Sequence, residues 1–259
     1  MIPKTINYCW FGGKEKPKSV KKCIESWKKF CPQYEIKEWN EDNFNLQCCD
    51  YVKEASIKKK WAFVSDYARF WILYNYGGIY LDTDVEIIRP IFGILSNGPF
   101  MGCEEIGKVN PGLGMAATPK MKIFKEILDY YSIQHFLNIN GVENEETVVT
   151  RVTKILVRYG LKDKNNIQKV AGLLIYPVDY FNPINYKTKE KIITVNTVMI
   201  HHYAASWHTK LDNMVLLIEG NKFLETYRIQ KIIAFPFRVI NKFKHNGVKN
   251  TLIFILKKL

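Results

Sequence analysis

The sequence AFVSDYARFWILYNYGGIYLDTDVE, at residues 62–86, is the most informative part of this chain for its fold. Its first half predicts a helix over residues 60–75 with aromatic residues along one side. Four aromatic side chains recur there at helical spacing: Phe63, Tyr67, Phe70 and Tyr74. The glycine pair 77–78 predicts the end of the helix, and the β-branched and apolar run 79–88 predicts a strand that carries acids. A helix therefore leads directly into a buried strand that ends in carboxylates.

The flanking sequence predicts strands and helices in alternation. Before this stretch, residues 4–11 and 34–39 are predicted to be strands around a helix at 19–30. After it, the predicted elements are a turn-rich loop at 110–114, helices at 120–131 and 145–159, and strands at 173–178 and 194–201. This order is typical of an α/β domain, which we place at residues 1–215, followed by a basic amphipathic helical tail at 216–259.

The triplet Asp82-Thr83-Asp84 is the strongest chemical signal in the sequence. Alternate residues of a strand face the same side, so the two carboxylates repel each other unless a cation lies between them. Hard oxygen ligands suit Mg²⁺ or Mn²⁺. The alternative is a pair of turn-forming or solvated acids, but carboxylates at the end of a buried strand are costly to leave unpaired. The triplet therefore predicts a divalent metal site.

Asp66 and Arg69 are three residues apart and lie on one face of the predicted helix. The simpler interpretation is a weak local ion pair. The helix is otherwise apolar and precedes the acidic strand, so the pair also suggests contacts to ribose hydroxyls and to phosphates, respectively.

Three segments together resemble the DXD-containing sugar transferases of glycosyltransferase family 32: residues 2–13 (IPKTINYCWFGG), residues 62–86 and residues 200–208 (IHHYAASWH). That family has the GT-A fold and includes mannosyl- and galactosyltransferases and many bacterial capsule and surface-polysaccharide enzymes. The resemblance implies a Rossmann-type mixed sheet flanked by helices. It also implies a hexosyltransferase whose donor is a nucleotide-diphosphate sugar, with a UDP-sugar favoured over a GDP-sugar.

The resemblance assigns most of the donor site to the first two segments. Trp10 is similar to the aromatic residue that stacks on the nucleotide base, with Cys9 beside it. Asp66, next to Ser65, would hold ribose or sugar hydroxyls, and Arg69 would hold the sugar or phosphates. These five residues are the donor-binding set that the resemblance implies in the first part of the chain.

The resemblance assigns the diphosphate and the metal to the second and third segments. Tyr80 would lie near the diphosphate, Asp82 would reach the ribose or the metal, and Asp84 would bind Mn²⁺ or Mg²⁺ directly. His201 or His202 would add a further ligand. Adjacent residues of a strand face opposite ways, so we expect only one of them to bind, with His201 preferred. Without the resemblance, such a histidine pair is more often a packing or surface feature.

The family retains the configuration of the transferred sugar, which implies an α-linked product from an α-linked donor. Ser206 and Trp207 would close over the diphosphate and the leaving oxygen. Asp82, Asp84 and Trp207 form the catalytic set that the resemblance implies. Many relatives carry Thr-Gly-Pro where this chain has ETVV at 146–149, so the geometry of the acceptor side is not carried over.

The positive charge of the chain is unevenly distributed. The net charge is +13, and the segment 228–259 holds eight cations and no acid. Basic amphipathic segments can lie on anionic membranes, so we expect this segment to bind the inner face of a membrane, where lipid-linked acceptors occur. A helix pair packed on the domain is the alternative. Six cysteines without a CxxC pair, and no leader or membrane-spanning run, are typical of a cytoplasmic protein.

The resemblance implies transfer of a sugar to a glycan or glycolipid in surface-polysaccharide synthesis. Other functional classes are alternatives to it. A hydrophobic content of 47% over 259 residues excludes a disordered or low-complexity chain. A nucleic-acid-binding module needs a basic stripe interleaved with exposed aromatics, but the excess charge lies in the tail, so we expect no nucleic-acid partner. A nucleotidyltransferase or a nucleotide-sugar hydrolase could use the same metal site. A glucosylating effector would act on protein, which nothing in the sequence favours.

Overall fold

The computed structural model describes residues 1–185 and 190–204, together with a few later positions. These later positions are 214, 215, 218, 231, 233–241, 243 and 251. The chain divides into two compact units. The larger unit comprises Met1–Phe136, Glu145–Ile184 and Ile192–Tyr203 and contains every strand named below.

The smaller unit comprises Leu137–Asn144, Asn185–Lys191 and Ala204–Leu259. Within it, Leu137 and Glu143 form an antiparallel bridge. Most of the predicted tail lies outside the described residues, and the described positions 233–241 in it are helical. None of the helices in the described part of the chain is both long and apolar enough to cross a membrane.

Strands of the larger unit form a mixed sheet and a separate two-stranded ribbon. In chain order they are β1 (Thr5–Cys9), β2 (Glu35–Trp39), β3 (Gly78–Tyr80), β4 (Val85–Ile87), β5 (Phe100–Glu105), β6 (Lys108–Ala117), β7 (Gln168–Val170), β8 (Leu173–Tyr176) and β9 (Met199–His201). Seven of them pair in the order β2-β1-β3-β6-β5-β8-β7, while β4 pairs with β9. β1 is parallel to β2 and β3, and β5 is parallel to β8, whereas the other pairs are antiparallel. The mixed sheet implied by the resemblance is therefore confirmed.

Helices cover the sheet and position the segments between its strands. They are α1 (Lys18–Phe30), α2 (Asp50–Ile57), α3 (Trp61–Tyr76), α4 (Phe92–Ser96), α5 (Lys122–Ser132), α6 (Val148–Arg158) and α7 (Val178–Phe181). The aromatic helix α3 packs against β1, β3, α2 and α5, and most of its apolar side chains are buried. This burial holds the polar residues of α3 in a fixed place beside β3.

The connection from α3 to β3 depends on two glycines, as the sequence predicts. Gly77 and Gly78 have φ angles of +68° and +95°, a region that L side chains rarely adopt. A Cβ atom on Gly78 would lie 2.6 Å from the carbonyl oxygen of Thr5. Glycine is required here because the chain turns sharply and then passes close to β1.

The acids after β3 lie on a turn, and the prediction of one continuous strand over 79–88 was wrong. β3 ends at Tyr80, and the amide of Val85 donates a hydrogen bond to the carbonyl of Asp82 at 3.0 Å before β4 begins. The run is β-branched and apolar on both sides of the acids, which explains the prediction of a single strand. Asp82 and Asp84 are therefore brought together by a tight turn and not by strand alternation.

The predicted loop at 110–114 was also wrong, because these residues lie inside β6. Pairing with β5 changes register between Asn110 and Met115, so the intervening residues form a bulge. Pro111 lacks an N–H, and Gly114 has a φ of +129°; both fit a bulge, where ladder pairing is interrupted. Turn-forming residues here mark an irregular strand.

The predicted strand at 194–201 is a strand only in its last three residues, which form β9. The preceding residues form a turn around Arg89, whose Nη1 donates to the carbonyl oxygens of Thr194 at 2.7 Å and Thr197 at 3.0 Å. This turn delivers β9 to β4, and the pairing places His201 opposite Val85.

Candidate active site

Two neighbouring parallel strands end at one edge of the sheet, and the candidate site lies there. Trp10 follows β1 and Asp82 follows β3, and the amide of Leu81 still donates to the carbonyl of Asn7 at 3.1 Å. Open α/β sheets bind ligands outside the carboxyl ends of their strands. The fold therefore brings the first and second sequence motifs to one edge.

The third motif reaches the same place through the β4–β9 ribbon. The amide of His202 donates to the carbonyl of Asp84 at 3.0 Å, and His201 Nε2 lies 3.1 Å from Asp84 Oδ1. Asp82, Asp84 and His201 each offer a ligand atom within 4.8 Å of the others. Two carboxylates and one imidazole form a donor set that suits a divalent cation.

Electrostatics at this cluster favour a positive group. Burial alone would lower the pKa of His201, but the carboxylates of Asp84, Asp82 and Glu104 raise it overall. Burial also raises the pKa of Asp82, against the opposing effect of Arg69. Among the described residues, His201 Nδ1 is buried without a hydrogen-bond partner. A cation would neutralise the same carboxylates that now favour a protonated imidazole, so the residues fit the metal that the motif implies.

His202 faces away from the two aspartates. Its Nε2 lies 2.8 Å from Glu86 Oε2 in a more exposed position. The opposite orientation of adjacent strand residues explains why His201, and not His202, lies beside Asp84.

Arg69 joins α3 to the acidic turn. Its Nη2 lies 3.0 Å from Asp66 Oδ1 and 3.2 Å from Asp82 Oδ1, and its Nη1 donates to Asp82 Oδ2 at 3.4 Å. The guanidinium is buried, so it neutralises two carboxylates that would otherwise repel each other. Burial raises the pKa of Asp66 to about 6, although Arg69 acts in the opposite direction. The Asp66–Arg69 pair thus extends to Asp82 of the candidate site.

Cys9 and Tyr80 are buried next to Arg69, and Ser65 is partly buried one turn before it in α3. Tyr80 is only 1% exposed, and the Arg69 guanidinium carbon lies 5.1 Å from the centre of its ring. Burial raises the pKa of the Cys9 thiol to about 12, and Ser65 Oγ donates to the carbonyl of Trp61 at 3.0 Å. Tyr80 and Cys9 thus lie beside Arg69 inside the fold, while Arg69 Nε donates to the backbone carbonyl of Ser65 at 3.1 Å.

Trp10 is half-buried at the end of β1 and is held by local contacts. Its Nε1 donates to the carbonyl of Lys14 at 2.6 Å, and Lys16 Nζ lies 5.8 Å from the ring centre. Ser206 and Trp207, the predicted lid residues, lie outside the described residues.

Three residues on β5 and β6 adjoin the candidate site, although the sequence did not assign them to it. They are Glu104, Asn110 and Gly112. Asn110 Nδ2 donates to Glu104 Oε2 at 2.8 Å, while Asn110 Oδ1 accepts from the amide of Gly112 at 2.7 Å. The carbonyl of Gly112 accepts from the amide of Asp82 at 3.4 Å. The glycine spacing in NPGLG was the available signal, but it was interpreted as a turn.

Comparisons with known sequences agree with this geometry. The family model described as a glycosyltransferase sugar-binding region containing a DXD motif matches residues 17–104. An uncharacterized glycosyltransferase, L373, of Acanthamoeba polyphaga mimivirus is 27% identical over 237 residues, which cover 86% of this chain and 90% of the relative. Inositol phosphoceramide mannosyltransferase 1 of Schizosaccharomyces pombe is 44% identical over 57 residues, which cover 21% of this chain and 17% of that protein.

Two solved structures are also similar to this chain. The PaToxG glycosyltransferase has a TM-score of 0.47 and 18% identity, over 61% of this chain and 69% of that chain. A glycosyltransferase involved in the glycosylation of the major capsid of PBCV-1 has a TM-score of 0.44 and 13% identity, over 78% of this chain and 95% of that chain.

The matched family region contains the acidic turn together with Asp66 and Arg69, and the mimivirus relative aligns over most of both chains. Since these side chains also converge in space, the motif is intact as a three-dimensional site. Residues 17–104 of this chain are therefore similar to the glycosyltransferase sugar-binding region that contains a DXD motif.

Proposed function

We propose that this chain is a metal-dependent, retaining glycosyltransferase that moves a sugar from a nucleotide-diphosphate sugar to a glycan or lipid-linked acceptor. The observation that carries the proposal is the cluster of Asp82, Asp84 and His201, whose ligand atoms lie within 4.8 Å of one another. This cluster lies at the strand edge where α/β sheets bind ligands.

Asp84 and His201 would hold Mn²⁺ or Mg²⁺, with Asp82 as a direct or water-mediated ligand. When bound, such a cation supplies positive charge to the departing diphosphate. The contacts from Arg69 to Asp82 fix the orientation of that carboxylate before any ligand arrives. The Asp82 carboxylate is thus already ordered before a ligand binds, which lowers the entropic cost of binding.

Donor recognition would use the edge between β1 and β3. Trp10 is available to stack on the base, and Asp66 is available to accept hydrogen bonds from ribose or sugar hydroxyls. A UDP-sugar is the proposed donor, and the indole ring provides a flat apolar surface of the kind on which bases stack. Ser206 and Trp207 would close over the diphosphate.

The proposed reaction retains the anomeric configuration. The bond from the anomeric carbon to the phosphate oxygen breaks, and the acceptor oxygen forms its bond on the same face of the sugar. The departing phosphate oxygen takes the acceptor's proton, so no protein nucleophile is required. In this scheme Asp82 and Asp84 would act by holding the cation, and Trp207 would act by closing over the diphosphate.

The acceptor is proposed to be a glycan or a lipid-linked glycan of a surface polysaccharide, such as a capsule. The name of the fission-yeast relative describes a ceramide-based acceptor, which supports a lipid-linked molecule here. Residues 228–259 would bind an anionic membrane from the cytoplasmic side. Of the tail residues described, Ile240 and Phe243 are about half-exposed, which is compatible with contact to lipid.

A thermal-shift panel of UDP- and GDP-sugars, each with and without Mn²⁺, tests the donor and metal together. A ligand that binds only the folded protein raises its Tm, so one nucleotide sugar is expected to stabilise the protein more strongly with Mn²⁺. A Tm that no nucleotide sugar changes, with or without Mn²⁺, would falsify the proposal. Product analysis then separates transfer from hydrolysis, which would release free sugar.

Membrane binding needs a separate assay. Flotation with anionic phosphatidylserine vesicles should recover the full chain but not a chain ending at residue 227. Equal recovery of both forms would remove residues 228–259 from the proposal without affecting the sugar-transfer activity.

A further inference from the structure

A polar pair on β5 and β6 lies beside the acidic turn and has no role in the function proposed so far. Asn110 is buried, and its side-chain amide connects Glu104 on one side to the backbone of Gly112 on the other. Asn110 thereby fixes one oxygen of the Glu104 carboxylate at 2.8 Å.

The pair faces the candidate active site. The position that a Cβ of Gly112 would take lies 2.2 Å from Asp82 Oδ2, 3.0 Å from Asn110 Oδ1 and 3.1 Å from Arg69 Nη1. The side chain of Asn110 is therefore on the same side of β6 as Asp82. Glu104, which accepts a hydrogen bond from Asn110, continues the row of polar groups on this side.

The charge of Glu104 also reaches the site. Its carboxylate helps to raise the pKa of His201, while burial raises the pKa of Glu104 itself. Glu104 is nevertheless outside the group of three residues whose ligand atoms lie within 4.8 Å of one another. It is thus near the proposed cation site without being one of the three clustered ligands.

The neighbouring acid provides a contrast. Glu105 pairs with Lys108 at 2.5 Å in an exposed position, as a surface residue commonly does. Glu104 is half-buried, and its carboxylate accepts a hydrogen bond from the neutral amide of Asn110. Within the described part of the chain, no ion pair joins this carboxylate to a cationic side chain. A carboxylate in such a setting favours a partner that donates hydrogen bonds and carries no negative charge.

We propose that Glu104 contacts the transferred sugar and accepts hydrogen bonds from its hydroxyl groups. This inference rests on the proposed function, because it names the sugar subsite of the same donor. A diphosphate or a phosphate would be repelled by the carboxylate, whereas a sugar ring is uncharged and rich in hydroxyl donors. The geometry therefore divides the donor between the cation cluster, which holds the diphosphate, and Glu104, which holds the sugar.

Binding measurements on Glu104→Gln test this assignment, with Glu105→Gln as the matched control. Glutamine keeps the size of the side chain and an oxygen that accepts from Asn110, but it removes the charge. Calorimetry with Mn²⁺ would use two probes: the UDP- or GDP-sugar that binds the wild-type chain best, and the corresponding nucleoside diphosphate without sugar.

The inference predicts that Glu104→Gln weakens binding of the nucleotide sugar about tenfold or more, since hydrogen bonds to charged groups are stronger than neutral ones. Binding of the sugar-free nucleoside diphosphate should stay within about twofold of wild type, which also shows that the variant is folded. Glu105→Gln should bind both probes as the wild type does.

Two results would overturn the inference in different ways. If Glu104→Gln binds the nucleotide sugar as tightly as wild type, or loses both probes equally, Glu104 does not contact the sugar. If the wild-type chain binds no nucleotide sugar at all, the proposed function fails and the inference fails with it.

Discussion

The carboxylate of Asp82 lies in the space that a side chain at Gly112 would occupy. A Cβ atom on Gly112 would be 2.2 Å from Asp82 Oδ2, a distance at which the carboxylate must move. Gly112 does not have a positive φ, so glycine is needed here for space and not for backbone conformation. The strand β6 therefore helps to set the position of one of the two aspartates.

Substitution of Gly112 by alanine is expected to damage the site. The new methyl group would displace Asp82 from Arg69 and from the cation position, so Mn²⁺-dependent binding of the donor should weaken about tenfold or more. Calorimetric titration of the donor in the presence of Mn²⁺ measures the effect.

Gly93→Ala is the matched control for that substitution. Among the described residues, and apart from its chain neighbours and the backbone of its own helix, no heavy atom lies within 4 Å of the position that its Cβ would take, so donor binding should be unchanged. A Gly112→Ala protein with wild-type donor affinity would show that Asp82 can move without consequence.

The raised pKa of Asp66 predicts that the contribution of this residue to the free energy of unfolding falls as the pH rises. A carboxyl whose pKa is near 3.8 when unfolded and about 6 when folded favours the folded state below its unfolded pKa. That contribution is lost as the pH rises through about 6. Asp66→Asn removes the titration, so its free energy of unfolding relative to wild type should rise by up to about 3 kcal/mol between pH 4 and pH 7.

Urea unfolding of both proteins at several pH values measures this difference. Asp42→Asn, at an exposed position, serves as the control for the substitution itself. A constant difference between Asp66→Asn and wild type over this range would mean that Asp66 titrates alike in the folded and unfolded chain.

Trp10 is predicted to bind the base and not the metal. Trp10→Ala should raise the KM for the donor while kcat and the Mn²⁺ concentration needed for activity change little, because Trp10 is not one of the three residues that offer clustered ligand atoms. Trp10→Phe should restore much of the affinity, since it keeps an aromatic face. Unchanged affinity of Trp10→Ala for the nucleoside diphosphate would count against stacking.

The sequence allowed the closeness of Asp82, Asp84 and His201 to be predicted, although for a partly wrong reason. Gly77 and Gly78 predicted the end of α3 because few other residues tolerate positive φ. The pairing of Asp82 with Asp84 was inferred from strand alternation, but the two lie on a turn between β3 and β4. Local sequence indicates that two acids are close without indicating which backbone conformation brings them together.

Contacts between distant segments could not be predicted from local patterns. Arg69 has a sequence neighbour, Asp66, that explains it as a local pair, and only the fold reveals its second partner, Asp82. The bulge that places Asn110 and Gly112 at the site has turn-forming residues, so its sequence resembles a loop. The role of such residues depends on which strands become neighbours, and neighbouring strands need not be consecutive in the chain.

Asp84 is proposed to help hold a cation that binds the donor diphosphate. Calorimetric titration of Asp84→Asn with the nucleotide sugar, once with Mn²⁺ and once with EDTA, tests this role. Glu86→Gln is the matched control. Like Asp84, Glu86 pairs with a histidine, but its partner is His202, whose side chain faces away from the cluster. We predict that wild type and Glu86→Gln bind the donor much more tightly with Mn²⁺, and that Asp84→Asn shows no such gain. An Asp84→Asn protein with the full Mn²⁺-dependent gain in donor affinity would contradict the account.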